Sequence, residues 1–161
     1  MEISSKQIHR NLKKIAEFRN AKSIGGYYPI GSEVKTQDIL QEAISNGKEI
    51  FLPKVIGKNL EFRKIKDFGD LEKGSFDIME PKDGCEVSDK FDVILVPTVG
   101  ISQNGFRLGY GYGFYDRFLS KRNFVTIALT YAKQIVKSIQ NSEDDVKIDW
   151  IVTEDEFFKT S

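Results

Sequence analysis

The chain has 161 residues, 40% hydrophobic and 30% charged, as expected of one globular domain rather than a disordered chain. Lys+Arg and Asp+Glu both count 24, so no net charge favours nucleic acid or an acidic membrane as a partner. The lone Cys85 excludes a disulfide framework and a multi-cysteine metal site, and no apolar run approaches a membrane span. We therefore expect a single cytoplasmic domain over residues 1–161 with no obligate protein partner.

The first half of the chain predicts helices and strands in alternation. Apolar residues recur at helical spacing from about residue 4 to 18, which predicts one amphipathic helix. A short strand ending at Pro29 is predicted for SIGGYYP, and a helix stopped by Gly47 is predicted for TQDILQEAISNG. Two neighbouring strands are predicted for EIFLPKV and NLEFRKI. The polar stretch from 67 to 90 is expected to form loops.

The second half continues the alternation. A continuous strand, buried on both faces, is predicted for FDVILVPTVGI at residues 91–101. A helix over about 114–121 follows, then a buried strand in FVTIALTY and a last short strand in DWIVTE. Strand–helix–strand order of this kind predicts an α/β fold. We expect a three-layer, Rossmann-like domain with a mostly parallel sheet and helices on both faces.

The segment NGFRLGYGYGFYDRF, residues 104–118, places alternating glycines between a buried strand and a helix. Ligands of open α/β sheets bind at the carboxyl ends of strands, and a strand-to-helix junction favours phosphate. Arg107 adds a planar cation suited to phosphate oxygens. Gly109, Gly111 and Gly113 allow close approach of the backbone to such a ligand, which is the interpretation we favour. A structural turn that needs left-handed backbone angles is the alternative.

A longer block around this segment, VPTVGISQNGFRLGYGYGFYDRFL at residues 96–119, resembles the signature of the 5-formyltetrahydrofolate cyclo-ligase (5,10-methenyltetrahydrofolate synthetase) family. Further matches are YYPIGSEVKT, FLPKV, MEP, LTYAKQIV and EDDVKIDWIVTE. The resemblance implies that ATP phosphorylates the formyl oxygen of 5-formyltetrahydrofolate. The N10 amine then attacks the activated carbon, and loss of phosphate leaves 5,10-methenyltetrahydrofolate.

The resemblance also implies which residues bind ATP, the folate and Mg²⁺. The nucleotide is expected against Arg107, Leu108, Gly109, Tyr110, Gly111, Tyr112, Gly113, Phe114 and Tyr115. The folate is expected against Tyr28, Glu33, Tyr110, Gly111, Tyr112, Gly113 and Phe114. Asp116 and Asp145 are the expected Mg²⁺ ligands, since hard oxygen donors suit that ion. Arg107 and Tyr110 are the catalytic candidates.

The chain departs from the family pattern near its N-terminus. Family members usually carry a helix with a K-x-x-x-R pair for ATP and then a second helix before the Y-x-P-x-x-S-E strand. Lys6 and Arg10 fit that pair, yet only 16 residues separate Arg10 from Tyr27, room for one helix and a turn. The alternative is that Lys6 and Arg10 only form the solvent-exposed face of an amphipathic helix. At Phe114 the family commonly has a tyrosine.

Two other classes of function stay open on the sequence. The short N-terminal part favours a non-catalytic or altered-substrate relative that binds nucleotide or folate in a regulatory role. The rings and cations of RLGYGYGFYDR are also compatible with a single-stranded nucleic-acid module. The balanced charge and the buried strand before this segment argue against the second of these classes.

Overall fold

A computed structural model of the chain describes residues 2–108, 113–121, 123–140 and 145–161. The helices are α1 Glu2–Leu12, α2 Ala16–Asn20, α3 Gln37–Ser45 and α4 Phe114–Leu119. The strands are β1 Ser23–Gly25, β2 Glu49–Ile56, β3 Asn59–Ile65, β4 Leu71–Lys73, β5 Met79–Pro81, β6 Val93–Pro97, β7 Gly100–Ser102, β8 Arg107–Leu108, β9 Val125–Leu129, β10 Ile135–Val136, β11 Trp150–Val152 and β12 Phe157–Lys159. Within these ranges, no helix has both the length and the apolar composition needed to cross a membrane.

Seven strands form the main sheet in the order β12-β11-β9-β6-β1-β2-β3. The five inner strands run parallel, and β3 and β12 pair antiparallel at the two edges. From β1 the chain first adds strands on one side and then returns to place β6 on the other side. The predicted mostly parallel α/β sheet is therefore confirmed. The boundary between β1 and β6 is the point where strand order reverses, which is where sheets of this class bind ligands.

Both faces of the sheet are covered, as the three-layer prediction requires. Along β6, Val93 and Leu95 face a core shared with α1, α2 and α3. Ile94 and Val96 point to the opposite face and join a second core that includes Phe118 of α4. This alternation follows from the two-residue period of strand side chains. A strand buried on both faces shows a continuous apolar sequence, as β6 does.

The single helix predicted over residues 4–18 is wrong, because the structure has two helices there. Ile15 interrupts the helix with extended backbone angles, φ −83° and ψ 120°, and its side chain is 1% exposed. The guanidinium of Arg19 donates from Nη1 to the carbonyls of Lys13 and Lys14, which satisfies groups freed at the end of α1. The 16 residues between Arg10 and Tyr27 thus contain the end of α1 and all of α2, and Lys6 and Arg10 lie on α1.

Three further differences from the sequence-based expectations affect the sheet. The continuous strand predicted over 91–101 is divided, because β6 ends at Pro97 and β7 pairs with β8 and β10 in a separate three-stranded sheet. The stretch from 67 to 90, expected to be loops, contains the antiparallel pair β4–β5. The strand in DWIVTE is not the last, since β12 follows it; Phe157 packs on one face of the sheet and Phe158 on the other.

Candidate active site

A cavity of about 660 Å³ opens at the carboxyl ends of β1, β2 and β6. Its volume is within the range of small-molecule sites. The end of β1 contributes Tyr27 and Tyr28, and the end of β6 contributes Pro97. The cavity therefore lies at the reversal of strand order, where the fold predicts a ligand site.

The cavity brings together most of the residues that the sequence singles out. Its lining includes Tyr28, Glu33, Arg107, Leu108, Gly113, Phe114, Tyr115, Asp116 and Asp145. Gly109, Tyr110, Gly111 and Tyr112 lie outside the described residues. Lys6 and Arg10 are exposed on α1 and are not part of this lining, so their role with ATP stays a prediction.

Glu33 enters the cavity from a tight loop that follows β1. The backbone N–H of Ile30 donates to its Oε1 at 2.9 Å, and Gly31 supplies the left-handed turn between them with φ +54°. The hydroxyl of Tyr27 donates to the carbonyl of Val34 at 2.9 Å, and that of Thr36 donates back to the Tyr27 carbonyl at 2.6 Å. These bonds fix the loop, so the carboxyl group has a defined position.

The surroundings of Glu33 bring the titration of its carboxyl group close to neutral pH. The residue is 5% exposed, and this burial raises the pKa of its carboxyl group to about 7. The N–H of Ile30 and the charges of Arg107 and Lys35 act in the opposite direction but do not cancel the effect. Burial, and secondarily the charge of Glu33, also raises the pKa of the Tyr115 hydroxyl, which therefore stays protonated.

Arg107 is held at the side of the cavity by two neighbours. Its Nη1 donates to the carbonyl of Pro97 at 3.4 Å, and its guanidinium carbon lies 5.1 Å from the centre of the Tyr115 ring. A cation over an aromatic face at this distance is attracted by the ring. The guanidinium is therefore placed between the end of β6 and the start of α4, facing the space that Glu33 also borders.

Two carboxylates line the cavity, those of Asp116 and Asp145. Asp116 is in the first turn of α4, and its Oδ1 accepts a hydrogen bond of 3.4 Å from the N–H of Val146. Asp145 is the residue before Val146, so this bond brings its stretch of chain to the start of α4. Within the described ranges, no three His, Cys, Asp or Glu side chains are grouped as a metal site. A cation held here would share two carboxylates with oxygens of a ligand.

Phe76 and Glu80 are among the residues of the cavity wall that were not predicted from the sequence. Phe76 is 57% exposed, and its ring lies 6.3 Å from that of Phe114 in an edge-to-face arrangement. Phe76 and Asp77 have left-handed backbone angles, φ 60° and 58°, which are uncommon for residues other than glycine. Glu80 is 2% exposed and lies in the MEP segment, which carried no assigned role. The match of MEP to the family, at residues 79–81, was the available sequence signal.

The two roles considered for Gly113 can now be compared, since its φ is +70° at the start of α4. A Cβ on Gly113 would lie 2.7 Å from Nη1 of Arg117. The backbone itself therefore requires glycine at this position. This favours the structural turn over close approach to a ligand as the reason for Gly113. We expect Gly113→Ala to lower the free energy of unfolding of the ligand-free protein by about 1–2 kcal/mol. Thermal or urea unfolding measures this directly.

Gly47→Ala is the matched control, because Gly47 has φ +82°, has open space around its missing Cβ and lies away from the cavity. It should show the cost of a left-handed alanine without any effect on ligand affinity. If Gly113→Ala melts like the wild type and loses only nucleotide affinity, the structural role is wrong.

Comparisons of the sequence and of the structure with known proteins all identify the same family. The profile of the 5-formyltetrahydrofolate cyclo-ligase family matches residues 2–154. A probable 5-formyltetrahydrofolate cyclo-ligase of Caenorhabditis elegans is 29% identical over 96% of this chain and 85% of its own length. The Haemophilus influenzae 5-formyltetrahydrofolate cyclo-ligase is 26% identical over 90% and 82%. The structure of Aquifex aeolicus 5,10-methenyltetrahydrofolate synthetase superposes with a TM-score of 0.85 at 32% identity, covering 96% of this chain and 80% of that one.

Proposed function

The chain belongs to the 5-formyltetrahydrofolate cyclo-ligase family, and we propose that it uses the cavity between β1 and β6 to perform that family's reaction. The reaction converts 5-formyltetrahydrofolate to 5,10-methenyltetrahydrofolate with consumption of ATP. The observation that carries the proposal is the convergence of Glu33, Arg107 and Asp116 on one cavity, although Glu33 is far from the other two in the sequence. Folate binding, phosphate binding and metal binding each have a candidate group there.

The folate is assigned to the side of the cavity formed by Tyr28 and Glu33. A pterin ring presents amino and ring N–H groups in its plane, and a buried carboxylate is the acceptor that can take two such bonds at once. Apolar and aromatic walls, including Val55, Phe76 and Phe114, suit the flat faces of the ring system. Burial disfavours the ionised form of Glu33, whereas N–H donors of a bound folate favour it. The ionised carboxyl group of Glu33 is therefore a suitable acceptor for the pterin N–H groups.

The nucleotide is assigned to the side formed by Arg107 and the start of α4. The reaction moves a phosphoryl group from ATP to the formyl oxygen, so negative charge is spread over phosphate oxygens in the transition state. The guanidinium of Arg107, with donors in a planar fork, stabilises that charge. Because its position is fixed by Pro97 and Tyr115, little reorganisation is needed when the phosphoryl group passes. Once phosphorylated, the formyl oxygen leaves as phosphate after attack by N10.

A bound Mg²⁺ is the part of the proposal that rests on Asp116 and Asp145. The two residues fit the ion, because Mg²⁺ in phosphoryl-transfer sites takes one or two carboxylates together with phosphate oxygens. The ion would neutralise phosphate charge. We expect Asp116→Asn to raise the Mg²⁺ concentration for half-maximal rate by about tenfold, the effect of weakening one charged ligand. A Mg²⁺ titration of initial rates measures this.

Asp38→Asn is the control for that titration, since Asp38 is an exposed residue in the first turn of α3 and does not line the cavity. It should leave the Mg²⁺ dependence unchanged. An unaltered titration curve in Asp116→Asn would remove this residue from the metal site.

The function itself is tested by following 5,10-methenyltetrahydrofolate by absorbance with ATP, Mg²⁺ and 5-formyltetrahydrofolate. We expect product, and ATP hydrolysis that depends on the folate. If a folded protein with saturating ligands binds them without forming product, the alternative of a non-catalytic regulatory relative is correct. The role of Lys6 and Arg10 with ATP and a cytoplasmic location stay predictions from the sequence.

A further inference from the structure

Glu80 is a buried carboxylate that the reaction described above does not use. It lies on β5 at the cavity wall and is 2% exposed. Its Oε2 accepts a hydrogen bond of 2.9 Å from the backbone N–H of Val55, at the end of β2. Its Oε1 lies 4.0 Å from Nζ of Lys54. The carboxylate of Glu80 therefore interacts with groups of the protein itself, which indicates a structural role.

The same carboxylate supports the turn that connects β4 to β5, residues 74–78, which we name the Phe76 turn. Gly74 lies directly against it, since a Cβ on Gly74 would overlap Oε1 of Glu80. The turn is closed by a hydrogen bond of 2.8 Å from the N–H of Gly74 to the carbonyl of Ile78. Ile78 in turn donates to the carbonyl of Ser75 at 3.1 Å. Glu80 therefore connects the end of β2 to the base of this turn.

The Phe76 turn needs such support because its backbone is strained. Phe76 and Asp77 are the two described residues other than glycine with positive φ. Side chains with a Cβ avoid this region, and strained conformations persist only where the surroundings hold them. These backbone angles place the ring of Phe76 at the cavity wall beside Phe114, where Phe76 is 57% exposed.

We propose that Glu80 is a positioning residue that holds the Phe76 turn against β2 and so sets the affinity of the cavity for the planar ring system of the folate. The proposal rests on the proposed function, because it takes the folate as the ligand of the cavity. Glu80 is assigned no contact with the formyl group or the phosphates, because its carboxylate is held by the N–H of Val55 and lies near Lys54. Its loss therefore acts on folate affinity rather than on the rate of the chemical step.

Two substitutions separate the hydrogen bond from the volume of the side chain. Glu80→Met keeps a similar length but cannot accept from the Val55 N–H, whereas Glu80→Gln keeps an acceptor oxygen. We expect Glu80→Met to raise the Kd for 5-formyltetrahydrofolate roughly tenfold with little change in the KM for ATP, the loss expected for one buried hydrogen bond. Glu80→Gln should recover most of the affinity. In the ligand-free protein, hydrogen exchange at the amides of Gly74 and Ile78 should be faster in Glu80→Met than in the wild type.

A double-mutant cycle with Phe76→Ala tests whether Glu80 acts through the ring. If it does, Glu80→Met should weaken folate binding in the wild type but add little in the Phe76→Ala background. Additive losses, or equal losses in folate and ATP affinity, would overturn the proposal and leave Glu80 a general stability residue. Failure of the folded wild type to bind the folate contradicts the proposed function instead. Unchanged exchange at Gly74 and Ile78 contradicts the support of the turn, whatever the ligand.

Discussion

Arg107→Ala is expected to lower kcat/KM for ATP by about 100- to 1,000-fold, the scale found when one fixed donor to transition-state charge is removed. The guanidinium lies at the cavity side, bound to the Pro97 carbonyl and stacked on Tyr115. Steady-state kinetics with varied ATP and saturating folate give the ratio. Because Arg107 packs on the Tyr115 ring, we also expect Arg107→Ala to lower the free energy of unfolding by about 1 kcal/mol. Substitution of a solvent-exposed loop residue would leave the stability unchanged.

Arg107→Lys is the matched variant, because it keeps the charge and removes the planar fork. Its activity should be between those of the wild type and Arg107→Ala. If Arg107→Ala keeps wild-type ATP kinetics at an equal folded fraction, the phosphate assignment of this residue is wrong. Unfolding curves of the three proteins show whether lost activity is lost folding.

Glu33→Gln is expected to make the protein more stable at pH 8 and less able to bind the folate. The wild-type carboxyl group has a pKa of about 7 in the folded state against an ordinary value of 4.5. Between these values the folded protein keeps a proton that the unfolded chain releases, so the free energy of unfolding falls as pH rises from about 4.5 to 7. The decrease is on the order of 3 kcal/mol, and it levels off above pH 7.

The variant lacks this titration, so its stability curve should run above that of the wild type at pH 8 and meet it near pH 5. Melting temperatures across this range and folate affinity at pH 8 are the two measurements. A wild-type protein that gains stability from pH 5 to 8 relative to Glu33→Gln would show that the carboxyl group is not held in a desolvated site. Unchanged folate affinity would remove Glu33 from the substrate pocket.

The alternation of strands and helices and the mostly parallel sheet could be predicted from the sequence, because they depend on local patterns. Continuous apolar runs indicated β6 and β9, and the glycine block indicated the start of α4. Glu33 and Asp116 carry no distinguishing pattern of their own, and only the family resemblance pointed to them. The structure adds that they line one cavity.

Other features could not be predicted, because they depend on contacts distant in sequence. The end of α1 at Leu12 depends on Arg19 reaching back to two carbonyls, which no periodicity reveals. The left-handed angles of Phe76 have no sequence signal, since glycine or asparagine would be expected at such a position. Glu80 is buried only because Gly74 and Val55 pack around it.

The cavity walls come from five separate stretches of the chain, from Tyr27 near one end to Asp145 near the other. During synthesis, β1, β2 and β3 can pair before later strands are made, since β2 lies next to β1 and β3 lies next to β2. The central strand β6 is made later and must still pair on the free side of β1. A growing chain therefore has no complete site until residue 145 has emerged, and the ligands stabilise only the finished protein.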